Sequence, residues 1–267
     1  MLITFIGGGN MATALISGLV NPPRAHLSIR VCDPNESARN HLAGTFRVST
    51  FTEATAAIEG SDVIVLAIKP QTMPIVLAEL KGKVRPEQLV LSIAAGITID
   101  RISSELGNSP FVIRSMPNTP ALIGHGITGV VAGPGCSGQQ RDQAEEILSS
   151  AGEVIWLEDE SLMDAVTAIS GTGPAYFFLL AEALAAAARE FGLSAETADR
   201  LASITCFGAG AMLASSPGEA KELRRRVTSP GGTTQAAMVI MEDGRFRELV
   251  FKAAKAARDR SKELAMK

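Results

Sequence analysis

Gly7-Gly8-Gly9-Asn10-Met11-Ala12 constrains this chain more than any other segment. It follows the apolar run Leu2–Ile6 and opens a helical pattern over 11–19. A strand, a G-x-G-x-x-A turn and a helix start in that order form the dinucleotide-binding arrangement. The first glycine makes the tight turn and the second lets a pyrophosphate approach the backbone. The small Ala12 allows close helix–strand packing. The free N–H groups and dipole of the helix then favour the phosphates. A second strand over 29–32 leads into Asp33, about 20 residues beyond the loop, where an acid holds the ribose 2′-hydroxyl. Alone, Asp33 argues for NAD, because it repels a 2′-phosphate; its other reading is a loop acid before Pro34. Arg39, one turn into the next helix, can offset it, so both NAD(H) and NADP(H) stay open.

The rest of the chain is consistent with a globular α/β protein. Its 267 residues allow one large or two modest domains. Lys and Arg number 25 against 28 Asp and Glu, a net charge of -3. That balance gives no electrostatic footprint for nucleic acid or an anionic membrane. Cys32, Cys136 and Cys206 are scattered and form no CxxC, which points to a reducing compartment and excludes a disulfide framework or zinc motif. His26, His41 and His125 share no metal-ligand spacing, so no metal is expected. The N-terminal run lacks a basic flank and reads as no signal peptide. The stretch 175–188 contains Glu182 and reads as too short to span a bilayer. A cytoplasmic protein is the expectation.

The pattern changes near residue 160. Before it, apolar runs at 2–6, 29–32, 63–68, 89–93 and 112–115 alternate with helical segments such as 36–42. Runs at 129–132 and 154–157 add two further strands. This order predicts a parallel sheet with helices on both faces. After it the chain is Ala-rich and helical. Helices are expected at 162–169, interrupted by Ser170-Gly171-Thr172-Gly173-Pro174, then at 174–191, 195–213, 233–242 and 245–266. Ser216-Pro217-Gly218-Glu219 reads as a capping box opening a short helix. The domains are therefore placed at 1–160 and 161–267. Residues 183–188 are apolar all round, which suits burial against another helix and predicts an obligate dimer.

Four further segments are unlike ordinary turns. Ala67-Ile68-Lys69-Pro70-Gln71, Ser92-Ile93-Ala94-Ala95-Gly96 and Met116-Pro117-Asn118-Thr119-Pro120 all follow strand ends, the edge where open parallel sheets bind ligands. The fourth is a pair, Ile169-Ser170-Gly171-Thr172-Gly173-Pro174-Ala175-Tyr176 with Ser229-Pro230-Gly231-Gly232-Thr233-Thr234. On these motifs the chain resembles, nearly end to end, the pyrroline-5-carboxylate reductases. The resemblance implies a Rossmann-type dinucleotide-binding domain followed by an all-helical dimerisation domain. It implies homodimers, with rings of dimers in some members. The implied reaction is reduction of 1-pyrroline-5-carboxylate to L-proline by hydride from NAD(P)H, the last step of proline biosynthesis.

By the same resemblance, Ile6, Gly7, Gly8, Gly9, Asn10 and Met11 meet the cofactor phosphates. Ala67, Ile68, Lys69 and Pro70 line the ribose and nicotinamide side, with Ala94, Ala95 and Gly96 nearby. Many family members carry a serine or similar small residue where this chain has Asp33, and those favour NADPH. The substrate's carboxylate needs an anion receptor. Ser229, Gly231, Gly232, Thr233 and Thr234 can supply one from backbone N–H groups and hydroxyls at a helix start. Thr234 matches the family's threonine near the imine nitrogen and is the candidate proton donor; a bound water or prior protonation in solution would serve as well. Asn118 is read as a turn-former or as a residue of the substrate side. Lys69 is a surface lysine or a nicotinamide-side contact. His125 reads as a loop residue, and Arg224-Arg225-Arg226 as a solvated face or subunit contact.

Two other classes compete. A β-hydroxyacid dehydrogenase would share the glycine loop and helical half, but needs a general base, typically lysine. None follows Ser170-Gly171-Thr172-Gly173 until Lys221, whereas imine reduction needs no such base. A nucleotide sensor would keep the glycine loop but has no use for the anion-receptor loop.

Overall fold

Eight strands pair into one sheet in a computed structural model that describes residues 1–107, 111–216 and 218–265. They are β1 (Leu2–Ile6), β2 (Ser28–Cys32), β3 (Ser49–Phe51), β4 (Val63–Leu66), β5 (Leu89–Ser92), β6 (Phe111–Met116), β7 (Gly126–Ala132) and β8 (Gly152–Trp156). Their order is β3-β2-β1-β4-β5-β6-β7-β8. Alternation of side chains across the pleat builds two cores. Ile3, Phe5, Val63, Val65, Leu89 and Leu91 face one, shared with α1 (Asn10–Val20). Ile6, Ile64, Leu66 and Val90 face the other. All ten are essentially excluded from solvent, as strands buried on both faces require.

Helices α2 (Glu36–Phe46), α3 (Ala54–Ala57), α4 (Met73–Leu80), α5 (Ile99–Leu106) and α6 (Gly138–Leu148) connect the strands, and α7 (Met163–Val166) follows the last. The mostly parallel sheet departs from expectation at one place. β6 and β7 run antiparallel, with Ile113 opposite Ala132 and Met116 opposite Gly129. Their connection holds a 3₁₀ turn, Thr119–Ile123, and no crossover helix, so the chain returns beside its own strand. β3 is a further strand that the apolar pattern does not reveal.

The second half is helical: α8 (Gly173–Glu190), α9 (Ala195–Ser215), α10 (Ala220–Arg226), α11 (Thr233–Asp243) and α12 (Phe246–Ala265). Two compact units result. One comprises Met1–Thr172 with Ala257–Lys267, the other Gly173–Ala256. At the expected break, Ser170–Pro174, a π turn, Thr167–Gly171, gives way to a bend at Thr172 before α8 opens, and the Thr172 N–H reaches the Thr167 carbonyl at 2.9 Å. Helical hydrogen bonding widens there before the bend. The helical path Glu160–Glu190 is therefore long and apolar enough, by length and composition, to cross a membrane, unlike the shorter stretch read from sequence. The expected cap at Ser216 also differs. Ser216 closes α9, and α10 starts after Glu219 without a side-chain cap. Pro217 and Met266, named in two of the expected helices, lie outside the described residues.

Candidate active site

The loop after β1 is shaped by contacts that exclude side chains. Gly7 has φ 104°, and its N–H bonds the Cys32 carbonyl at 2.7 Å. A β-carbon there would meet the Ala67 carbonyl oxygen at 2.4 Å. Gly9 caps α1 with extended backbone and no side-chain hydrogen bond. In contrast, Asn35, Thr98 and Ser137 cap α2, α5 and α6 with their side chains. A β-carbon on Gly9 would meet nothing within 4 Å among the described residues. The first turn of α1 thus keeps its amides for an outside anion, with space above them, and Gly9 and Asn10 are exposed. A dinucleotide pyrophosphate fits this cradle.

The other residues expected around the cofactor follow neighbouring strands. Ala67 and Ile68 are half-buried after β4, Lys69 is exposed, and Pro70 opens a 3₁₀ turn. Ala94, Ala95 and Gly96 follow β5, with the Ala94 N–H on the Ser92 hydroxyl. The sheet therefore brings these segments to one edge, at the C-terminal ends of β1, β2, β4 and β5. A contact unseen in sequence joins them. The last turn of α12 packs on this loop, with Leu264 Cβ 3.5 Å from the Cβ position of Gly96. Ser261 Oγ lies 2.6 Å from Asp164 Oδ1.

Each carboxylate oxygen of Asp33 accepts one backbone N–H. Its Oδ2 accepts the Gly8 N–H at 2.7 Å and its Oδ1 the Asn35 N–H at 2.8 Å. Arg39 Nη1 donates to the carbonyls of Asp33, at 2.7 Å, and Pro34, at 2.9 Å. Burial pushes the neighbouring Cys32 thiol up to about 11, and the carboxylates of Glu79, Asp33 and Glu53 add to the effect.

Asn118 is 8% exposed and bridges two segments. Its Oδ1 accepts the Ile127 N–H at 3.0 Å, and its Nδ2 donates to the Ser170 carbonyl of the π turn at 3.2 Å. Sequence reasoning missed a buried ion pair nearby. Arg114, 4% exposed, donates to Glu160 Oε1 at 2.7 Å, and the same oxygen takes the Ile99 N–H at 2.9 Å.

In the helical unit, Ser229 to Thr234 form the turn into α11. Gly231 has φ 70°, and its N–H reaches Gln235 Oε1 at 2.5 Å. Gly232 caps α11, again without a side-chain cap, and its N–H bonds the Ser229 carbonyl at 3.1 Å. Thr233 is exposed and Thr234 half-buried in the first turn. The helix start presents amides and hydroxyls suited to a carboxylate. The basic run is paired locally, Arg225 and Arg226 with Glu222 and Arg224 with Glu242. His125 is exposed. Among the described residues no group of three His, Cys, Asp or Glu could hold a metal.

Known proteins resemble the chain along its length. Residues 160–264 match the family model for pyrroline-5-carboxylate reductase dimerisation. Residues 2–96 match the coenzyme F420-dependent NADP oxidoreductase model. The pyrroline-5-carboxylate reductase of Pseudomonas aeruginosa is 47% identical over 263 residues, covering 98% of this chain and 96% of that protein. A pyrroline-5-carboxylate reductase structure from Coxiella burnetii superposes with TM-score 0.92 at 39% identity, covering 98% of both chains. The Plasmodium falciparum pyrroline carboxylate reductase, solved with NADP bound, gives 0.86 at 28% identity, covering 99% and 98%. With identity of this level sustained from end to end, the chain belongs to the pyrroline-5-carboxylate reductase family.

Proposed function

We propose that the chain reduces 1-pyrroline-5-carboxylate to L-proline with NAD(P)H, the last step of proline biosynthesis. The observation that carries this is 47% identity to a pyrroline-5-carboxylate reductase over 98% of the chain. The bound nicotinamide supplies a hydride to the C=N carbon, and the ring nitrogen takes a proton. This chain's residues bind, orient and protonate. Ile6, Gly7, Gly8, Gly9, Asn10 and Met11 cradle the pyrophosphate on the uncapped start of α1. Asp33 takes the adenosine ribose. Ala67, Ile68, Lys69, Pro70, Ala94, Ala95 and Gly96 line the nicotinamide side. Ser229, Gly231, Gly232 and Thr233 receive the substrate carboxylate. Thr234 gives the imine nitrogen its proton and regains one from solvent. Asn118 serves the substrate side by fixing the turn at Ser170.

Residues 1–160 bind cofactor, and residues 161–267 bind substrate and join two copies into a homodimer, with rings of dimers as the larger assembly. Apolar side chains left open in one chain support this, among them Phe177, Phe178 and Phe207, each more than half exposed. A second copy, rather than a membrane, covers them and the apolar helix Glu160–Glu190. The net charge of -3 argues against nucleic acid. Three free cysteines fit a cytoplasmic location.

The test is a steady-state assay with 1-pyrroline-5-carboxylate, following NADPH and NADH oxidation and proline formed. Stoichiometric proline with either cofactor is expected. Dinucleotide binding without proline from either would overturn the reading.

A further inference from the structure

We propose that this enzyme is built for NADH, because the turn between β2 and α2 meets a 2′-phosphate with two carboxylates and few unused donors. The inference rests on the dinucleotide role given to that edge above and concerns which dinucleotide binds.

A 2′-phosphate brings close to two negative charges and needs several donors. The turn has few to offer. The Ser37 and Ala38 N–H groups, at the start of α2, are both taken by Asn35 Oδ1, at 2.9 and 3.3 Å. The Asn35 and Gly8 N–H groups are held by the two oxygens of Asp33. Arg39, the cation of the turn, gives its Nη1 to two backbone carbonyls, which leaves Nε and Nη2 as its remaining donors. What the turn offers instead is negative charge. Asp33 stands at the strand end and Glu36 in the first turn of α2. Beyond the remaining Arg39 donors, a phosphate would gain partners only by breaking the Asn35 cap or the Asp33 bridge, and it would still face both carboxylates.

A ribose diol makes no such demand, because its hydroxyl is itself a donor. An ionised carboxylate has about four acceptor positions, and two on Asp33 are used by Gly8 and Asn35. Those two bonds also fix the carboxylate's direction. The group that anchors the glycine loop thus accepts the 2′-hydroxyl and repels a 2′-phosphate.

The test is direct binding of NADH and NADPH to the whole enzyme, by calorimetry or cofactor fluorescence, apart from turnover. The expected result is NADH bound about tenfold or more tightly than NADPH. Added salt should narrow the gap by screening the phosphate–carboxylate repulsion. Asp33→Asn removes the charge while keeping an acceptor in place, and Asp33→Ser removes the charge and leaves a shorter hydroxyl. Each should shift the ratio of Kd values toward NADPH by about tenfold, and the Asn variant covers the case in which the Ser variant fails to fold. Equal or tighter NADPH binding by the native enzyme, or a ratio unmoved by both substitutions, would overturn the proposal while leaving the reduction intact. If neither dinucleotide binds, both readings fall.

Discussion

A β-carbon on Gly7 would lie 2.4 Å from the carbonyl oxygen of Ala67, the first residue after β4. Backbone meets backbone at that point, so neither side can yield cheaply. Gly7→Ala should lose about 3 kcal/mol of stability, since φ 104° adds strain to the clash. Gly9→Ala is the contrasting case. Its new β-carbon meets none of the described residues within 4 Å, and its backbone is extended, so about 1 kcal/mol or less of helix capping is lost. That methyl instead enters the space above α1 that we assign to the pyrophosphate. Thermal melting should separate the two variants, with Gly7→Ala melting early. NADH titration of the folded Gly9→Ala protein should show weakened binding. Native affinity in that variant would refute the cradle.

The turn into α11 is tested separately. Thr234→Ala should lower kcat by about tenfold, because water can replace a hydroxyl as proton source. Thr234→Ser should keep most of the activity. Gly231→Ala strains a backbone at φ 70° and should raise KM for 1-pyrroline-5-carboxylate. Cofactor affinity of the free enzyme should stay native in all three. An unchanged kcat for Thr234→Ala would remove it as donor.

How far the sequence reveals this molecule differs from place to place. Leu2–Ile6 is a strand with the same ends in both readings, because five consecutive apolar or β-branched residues before a glycine turn leave little choice. The sheet edge that gathers the proposed cofactor segments is legible for the same reason, since it consists of local motifs after strands. β3 is not, because three half-polar residues carry no period and the strand forms by pairing with Arg30, Val31 and Cys32. The π turn is hidden because Gly171 and Pro174 read as helix breakers, and nothing local announces a bond from Thr172 to Thr167. Arg114 and Glu160 meet only because the sheet sets the end of one segment beside another distant in sequence. The engagement of Asp33 with Gly8 is of that kind too. The acid could be found by its position, and its partner only by the fold.

The Arg114–Glu160 pair gives an asymmetric prediction. Glu160→Ala strands a guanidinium that is 4% exposed and frees the Ile99 N–H. It should cost about 2–4 kcal/mol, below the fully buried case because Glu160 is 28% exposed. Arg114→Met leaves a carboxylate that water can reach and fills the space with apolar volume, at about 1 kcal/mol. Denaturant melts of the two variants check the order. Equal losses would mean that the pair is not desolvated as its geometry indicates.

Cys32 should resist alkylation. Its thiol is pushed from 9.0 to about 11, so the thiolate fraction at pH 8 falls about 100-fold below that of a thiol at 9.0. The raised value means that reactivity is gained only as pH climbs toward 11. Iodoacetamide labelling followed by peptide mass analysis should show a rate at Cys32 still rising about tenfold per pH unit between 8 and 10. A plateau below pH 9 would contradict the burial and the negative charge around it.

Association is the last consequence. Phe178 of α8 is 67% exposed and Phe207 of α9 is 66% exposed within one chain. Side chains of this size gain about 1.5–3 kcal/mol each on burial, and a symmetric dimer contains each twice. A glutamate at either position therefore removes about 3–6 kcal/mol of association energy per dimer, at least 100-fold in Kd. Sedimentation should find the native chain as a dimer or a multiple of it at micromolar concentration. Phe207→Glu should shift it toward monomer. If the variant keeps its native mass at nanomolar concentration, another surface joins the subunits. Flotation of the native protein with lipid vesicles then decides whether the apolar helix Glu160–Glu190 meets a bilayer instead.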